Sequence, residues 1–561
     1  MQEYKGMPAA SGIVWARAVV AQAVETGKTP ETLNEAVDAC LVQVRALYQK
    51  TLVELGPESA EIFSAYEALL TDHYLLDPIQ ELQAQGKPLP EAIETALEQR
   101  AQVFLRAKSD YLRDRAEDIR NIKEMLLHKV NGSAMEFFLP PGNDPVIVVA
   151  PTLSPADTMA LDKTRLAGFI TQYGGATSHV VILAKNLGIP AITGVQELPG
   201  IPNGSLVLMD GSTGVVTVQP DEEALAAARV RLDREKAFEA ELRELPAGKT
   251  CTQDGTEVHI SVNIGGAADL EGLDLTSLHG VGLYRTEFLY VERDTAPTRD
   301  EQVEAYRRVF DAVDGRDLIV RTLDIGGDKN VPYLDLPQED NPFLGCRGIR
   351  LCLQHEPLLR DQFAALLRAA NGRAFSVMFP MVNDVAEFRR AKAIWQEVCA
   401  AEQAEGVPVS DGIRLGVMIE TPSALLCADA LAACVDFASI GTNDLTQYIL
   451  AADRGNPRTG VSLSVYAPAV VRAIHHIIRT FARQGVKLSV CGEAGSDLHF
   501  LPLMLGMGLR YVSVSRSMAD RVRYTVLHTD LAAQAARLEQ VLQLQTEPEI
   551  RAALCGGKED A

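Results

Sequence analysis

One histidine sits where it can do chemistry. The run Gly174-Gly175-Ala176-Thr177-Ser178-His179 leads into the apolar stretch Val180 to Leu187 and then Gly188-Ile189-Pro190. This pattern predicts a glycine-rich turn that delivers His179 onto the start of a short helix, with Gly188 capping the helix and Pro190 ending it. A histidine so placed is exposed, flanked by hydroxyls and next to backbone N–H groups that favour anions. Its imidazole, with an ordinary pKa of about 6.5, is a ready nucleophile at cell pH. The chemistry implied is a covalent phosphohistidine. An isolated histidine in a turn is more often structural, and it is the rest of the chain that shifts the balance.

A second group of chemical residues recurs at the ends of strand-like segments. One segment ends in Gly282-Leu283-Tyr284-Arg285-Thr286-Glu287-Phe288, the next in Val320-Arg321-Thr322-Leu323-Asp324-Ile325-Gly326-Gly327-Asp328-Lys329, followed by Asn341-Pro342-Phe343-Leu344-Gly345-Cys346-Arg347. Later ends carry Glu420-Thr421-Pro422, then Gly441-Thr442-Asn443-Asp444 with Asp453-Arg454-Gly455-Asn456 beyond it, then Cys491-Gly492-Glu493. Arginines bind phosphate and carboxylate bidentately. Two carboxylates plus a substrate phosphate are a usual way to hold Mg²⁺. The set reads as a site for a small molecule bearing both phosphate and carboxylate. Each member alone has an ordinary explanation in salt bridges, helix caps or core packing; their recurrence at successive strand ends does not.

The elements that must position these residues fall into two patterns. From Thr250 onward short apolar strands alternate with helices, with strand candidates at His259–Asn263, Gly280–Arg285, Leu318–Asp324, Phe375–Met381, Leu415–Glu420, Phe437–Asn443, Leu488–Cys491 and Tyr511–Ser515. Eight such units predict a (β/α)₈ TIM-like barrel, whose chemistry sits at the C-terminal strand ends. Before it, strand signals at 12–20, 145–150, 168–171 and 205–209 mark an α/β domain, interrupted by helical stretches that start at Thr29-Pro30 and run from Ser59 to Asp72 and Leu89 to Val130. Asp221 to Leu245 reads as a connecting helix. The expected division is an α/β domain over 1–28 and 136–220, a helical insert over 29–135, a linker helix over 221–249, the barrel over 250–540 and a tail over 541–561.

Composition narrows the class. The chain has 561 residues and a net charge of −22, which disfavours a nucleic-acid partner. It carries no long uncharged apolar run and its first residues are no signal peptide, so no membrane insertion is expected. Its nine scattered cysteines lack metal or disulfide spacing and fit a reducing, cytoplasmic setting.

From about Gly12 to about Asp530, the ordered motifs RTEF, VRT-x-DIGGDK, NPFLG-x-R, ETP, IGTNDLTQY, DRGN and CGE, together with the histidine turn, resemble the enzyme I family of the bacterial phosphoenolpyruvate:sugar phosphotransferase system. That resemblance implies a swivelling phosphohistidine domain with a helical insert that docks the phosphocarrier protein HPr, a barrel that binds phosphoenolpyruvate and Mg²⁺, release of pyruvate, and a homodimer through the barrel. By it, His179 is the nucleophile and Thr158 hydrogen-bonds it. Arg285 and Arg321 bind phosphate, with Arg347 and Lys329 adding positive charge. Asn443 and Arg454 hold the phosphate and carboxylate end, Glu420 and Asp444 ligate Mg²⁺, and Cys491 protonates the enolate. The chain departs from the family at Ala176, where a long side chain is common, at Val180-Val181, and at Leu463-Ser464-Val465 after Asn456. A free phosphoenolpyruvate/pyruvate converter and a regulatory, nitrogen-type phosphorelay protein remain alternative readings. The acids Glu58, Glu61, Glu67, Asp72, Asp77 and Glu81 make the insert a candidate surface for a basic carrier.

Overall fold

A computed structural model describes residues 2–25, 29–55, 57–105, 110–137, 140–153, 157, 161–162, 164–173, 181, 184, 188–196, 198–291, 293, 295–326, 331–334, 339–454, 456 and 463–556. The chain divides into two compact units, Met1–Phe238 and Glu239–Ala561.

The first unit is built on an eight-stranded mixed sheet. Its strands are β1 (Gln2–Lys5), β2 (Met7–Ala10), β3 (Ile13–Val20), β6 (Val146–Ala150), β7 (Leu166–Thr171), β8 (Ala191–Thr193), β9 (Leu206–Asp210) and β10 (Val215–Val218), in the order β1-β10-β9-β3-β6-β7-β8-β2. The centre, β3-β6-β7-β8, is parallel, and β9, β10, β1 and β2 add antiparallel edges. Period-two alternation sends Ile147 and Val149 to one core with Ile170, Val207 and Met209. Val148 and Ala150 face a second core with Phe169, Leu161 and Ala184. Covering both faces is what lets all five residues of β6 be apolar and buried.

Two further strands, β4 (Gln22–Glu25) and β5 (Ser133–Glu136), pair antiparallel where the chain enters and leaves the helical insert. Between them lie α1 (Leu33–Leu55), α2 (Pro57–Leu70), α3 (His73–Ala84), α4 (Leu89–Leu105) and α5 (Asp110–Val130), which share one apolar core around Val44, Tyr66, Ile93, Leu97 and Leu126. The structure corrects two expectations here. The first helix starts at Leu33 rather than at Pro30, because Thr32 is the residue whose hydroxyl accepts the Glu35 N–H, at 3.3 Å. α3 was not read from the sequence; Asp72 ends no helix but caps this one, accepting the Tyr74 N–H at 2.9 Å. The helical stretch from Leu89 to Val130 is made of α4 and α5. A long helix, α6 (Glu222–Arg243), occupies the stretch expected to connect the domains.

The second unit is a closed barrel of eight parallel strands: β11 (His259–Ile264), β12 (Gly280–Arg285), β13 (Asp317–Arg321), β14 (Ser376–Phe379), β15 (Arg414–Ile419), β16 (Phe437–Ile440), β17 (Lys487–Val490) and β18 (Tyr511–Val514). All eight fall where the apolar runs predict them. Several end earlier than expected: β13 stops at Arg321 and β16 at Ile440, because Leu323–Asp324 and Thr442–Asp444 turn out of the ladder to form the mouth. Leu283, Ile319, Met378, Met418, Phe437 and Cys491 pack together inside the barrel, so its lumen is a core and not a pore. Among the described residues no helix is long and apolar enough to cross a membrane.

Candidate active site at the barrel mouth

The residues just past β13, β15, β16 and β17 converge. Asp324 and Asp444 are bridged by Arg347, which is 2% exposed. Arg347 Nε and Nη2 donate to the two oxygens of Asp324 at 3.1 Å each. Nη1 and Nη2 donate to the two oxygens of Asp444 at 3.0 and 3.1 Å, and Nη1 also reaches the Tyr448 hydroxyl at 3.4 Å. A guanidinium has five N–H donors in a fixed plane, and this arrangement uses both of its bidentate edges. The motifs assign roles to Arg347 and Asp444 and none to Asp324. An acid three residues after Arg321 was the available signal, since Arg321 Nη1 lies 3.2 Å from Asp324.

Arg321 is also buried. It pairs with Glu287, a second acid to which the motifs assign no role, and its Nη1 lies 3.8 Å from the Met418 sulfur. Its Nε is buried without a hydrogen-bond partner, as is the Nε of Arg285. Burial opposes the charge on Arg321, but Glu287, Asp324 and Glu420 outweigh it and hold the guanidinium charged. Behind these residues Gln362 ties the strand ends together. Its Nε2 donates to Thr286 Oγ1 at 2.9 Å and its Oε1 accepts the Leu323 N–H at 3.0 Å, while the Thr286 hydroxyl donates to the Arg321 carbonyl at 2.8 Å. Gln362 lies far from every motif, on the helix Glu356–Ala370, and nothing in the sequence marked it.

Glu420 is fully buried, one residue past β15. Its Oε1 accepts the Met381 N–H at 2.6 Å, and its Oε2 has no hydrogen-bond partner. Met381 aims that N–H by adopting φ +58°, a conformation uncommon for a non-glycine residue. Burial first, then Asp444 and Asp324, push the Glu420 carboxyl up to about 8, against the pull of Arg347 and Arg321. Gly441 leaves room for this carboxylate, since a Cβ there would stand 2.5 Å from Oε2. An orphaned buried carboxylate oxygen beside Asp444, whose oxygens each keep a lone pair, is a donor set suited to a hard divalent cation.

Cys491 follows β17 and is 6% exposed. Burial pushes its thiol up to about 11, so it carries its proton at neutral pH. Asn443 Oδ1 accepts the Glu493 N–H at 2.9 Å and Thr442 Oγ1 the Ala494 N–H at 3.3 Å, which fastens the β16 end to the β17 end. Arg454 lies at the rim, with Nη1 3.7 Å from Asp444 and its guanidinium 5.3 Å from the Phe343 ring centre. Arg285 closes β12 with its guanidinium 5.6 Å from the centre of the Phe288 ring.

Of the predicted site residues, the barrel mouth therefore gathers Arg285, Arg321, Arg347, Glu420, Asn443, Asp444, Arg454 and Cys491. Lys329, Thr158 and His179 lie outside the described residues. Of the stretch after His179, Val181 and Ala184 are helical and buried, Gly188 has φ +66°, and the Ile189 N–H donates to the Ala184 carbonyl at 3.0 Å. On the insert, Asp72 is used as a cap, Glu67 pairs with Arg45 at 2.7 Å and Asp77 with His73 at 3.1 Å.

Three family descriptions match in order: "PEP-utilising enzyme, N-terminal" over residues 5–115, "PEP-utilising enzyme, mobile domain" over 142–214 and "PEP-utilising enzyme, PEP-binding domain" over 239–531. A phosphoenolpyruvate-protein phosphotransferase of Listeria innocua is 38% identical over 98% of both chains. That of Geobacillus stearothermophilus is 39% identical over 97% of this chain and 96% of its own. With its closed barrel, its α/β unit and this likeness along almost its full length, the chain belongs to the phosphoenolpyruvate-protein phosphotransferase family of enzymes.

Proposed function

We propose that this chain phosphorylates itself on His179 from phosphoenolpyruvate, releases pyruvate, and passes the phosphoryl group to the histidine of an HPr-type carrier, as the first step of phosphotransferase-system sugar uptake. The observation that carries this reading is the barrel mouth, where the guanidiniums of Arg285 and Arg321, each with a buried unpartnered Nε, meet the orphaned carboxylate of Glu420 and the protonated thiol of Cys491. The relatives' name supports the same reaction.

The residues divide the work by their chemistry. Arg285 and Arg321 bind the transferring phosphate, Lys329 adds positive charge, and Asn443 and Arg454 hold the substrate's phosphate and carboxylate end. Arg347 is a positioning residue: its four hydrogen bonds to Asp444 and Asp324 orient both carboxylates. Glu420 and Asp444 are the ligands for Mg²⁺, which when bound neutralises charge on the phosphate and the leaving enolate oxygen. His179 Nε2, held by Thr158, attacks phosphorus as the bond to the enol oxygen breaks. Cys491 then gives its proton to the enolate carbon, producing pyruvate. Transfer of this kind rests on positioning and charge stabilisation.

The roles assigned to the segments are a phosphohistidine domain at 1–28 and 136–220, a carrier-docking insert at 29–135, a linker at 221–249, the phosphoenolpyruvate-binding barrel at 250–540 and a tail at 541–561. A cytoplasmic homodimer paired through the barrel completes the reading. It is tested by intact-protein mass after adding phosphoenolpyruvate and Mg²⁺, with His179→Ala as control. One acid-labile phosphate on the wild type alone, with pyruvate released and transfer to purified HPr, is expected. No adduct on the wild type, or an adduct on the variant, overturns it.

A further inference from the structure

The barrel has a second cluster of ligating side chains at its other end. We propose that Glu257, His259 and His279 bind one transition-metal ion of the Zn²⁺ class at the N-terminal mouth of the barrel, away from the reaction face. His259 opens β11 and His279 immediately precedes β12, its neighbour in the barrel. The His279 N–H donates to the Ile260 carbonyl at 2.8 Å, which fixes the two backbones side by side. Glu257 and His259 are two residues apart on extended chain, so their side chains share a face.

The ligand atoms of the three residues lie within 4.8 Å of one another. Glu257 Oε1 and His279 Nε2 are 3.5 Å apart, and the two imidazole centres are 4.1 Å apart. Tetrahedral Zn²⁺ with bonds of ~2.0–2.1 Å needs ligand atoms roughly 3.4 Å apart. The Glu257–His279 edge thus already has the right length, and a side-chain rotation of His259 closes the set. A cavity of about 20 Å³ opens between His259, His279, Ser261 and Tyr511, room for a single ion or water. His279 Nδ1 is buried without a hydrogen-bond partner.

The nearby cations are already engaged. Lys487 Nζ lies 3.0 Å from Asp317 and 4.5 Å from the Tyr511 ring centre, and Lys249 Nζ takes Glu257 Oε2 at 2.8 Å, leaving Oε1 toward His279. Two imidazoles and one carboxylate favour Zn²⁺, Ni²⁺ or Cu²⁺ over Mg²⁺. The ion would staple β11 to β12 without competing for the Mg²⁺ ligands.

The test is calorimetric titration of the metal-free full chain with Zn²⁺, beside His259→Gln/His279→Gln and, separately, Glu257→Gln. The wild type is expected to bind one more ion than the double variant at micromolar Zn²⁺ and to gain thermal stability with it. Glu257→Gln should weaken that ion at least ~10-fold. Phosphoenolpyruvate turnover with Mg²⁺ should be the same in all three. Equal stoichiometry in wild type and double variant would place any bound ion elsewhere, at a free thiol for example, and overturn the proposal. So would a wild type that binds no ion in this range.

Discussion

Replacing Arg347 by methionine tests whether the barrel mouth is an electrostatic clamp. The side chain is 2% exposed and donates four hydrogen bonds of 3.0–3.1 Å to Asp324 and Asp444. Methionine fills much of the volume but leaves both carboxylates, and Glu420 behind them, facing one another. Removing one partner from a buried, hydrogen-bonded ion pair costs about 3–5 kcal/mol. With an unfolding entropy of about 2.1 cal/mol/K per residue, a barrel of this size loses roughly 1.5 °C per kcal/mol, so a fall of roughly 5–8 °C is expected. The deficit must also depend on pH. Glu420 sits at about 8, above its ordinary 4.5, and Arg347 is one of the groups that lower it. Its raised value means that the associated stability is fully present below about 4.5 and is lost as pH rises through about 8, and removing Arg347 pushes that value higher still. The gap between variant and wild type should therefore open above about pH 8, and be smaller at about pH 6 than at about pH 9.5. Trp395, buried in the helix Val385–Ala404, reports barrel unfolding by fluorescence in a Trp15→Phe background, since these are the two tryptophans of the chain. A loss under ~1 kcal/mol, or one equal at both pH values, would refute the clamp.

Three other outcomes follow from the same geometry. Glu420→Gln should abolish Mg²⁺-dependent turnover while leaving thermal stability at pH 8 unchanged or raised, because it removes a buried charge whose Oε2 has no protein partner; a large fall in stability would contradict this. Gly441→Ala should reduce turnover by at least ~10²-fold with the barrel still folded by circular dichroism, since its Cβ would sit 2.5 Å from Glu420 Oε2. Cys491, at about 11, should resist iodoacetamide at pH 7.5 and alkylate appreciably only above about pH 10, as read by peptide mass; rapid modification at pH 7.5 would remove the case for a protonated thiol.

The sequence by itself determined the architecture of the barrel and most of its mouth. Eight apolar runs, each about a strand long, locate β11 to β18, because a strand buried on both faces needs a continuous apolar segment and little else. Motif residues follow these runs directly, so Arg321, Glu420, Asp444 and Cys491 had to lie near one end of the barrel. Local capping chemistry was legible but misread at Thr29, where Thr32 and Glu35 held the true start signal, and α3 was hidden because Asp72 reads equally well as a helix end or a helix cap. Only the tertiary structure decided which charges meet. That Arg347 spans Asp324 and Asp444, that Met381 turns its N–H onto Glu420, and that Gln362 locks two strand ends depend on residues tens of positions apart. The same holds at the opposite mouth, where His259 and His279 are neighbours because their strands pair. Periodicity records which face of an element is buried; it does not record which partner closes over that face, and the energies of buried charges depend on the partner.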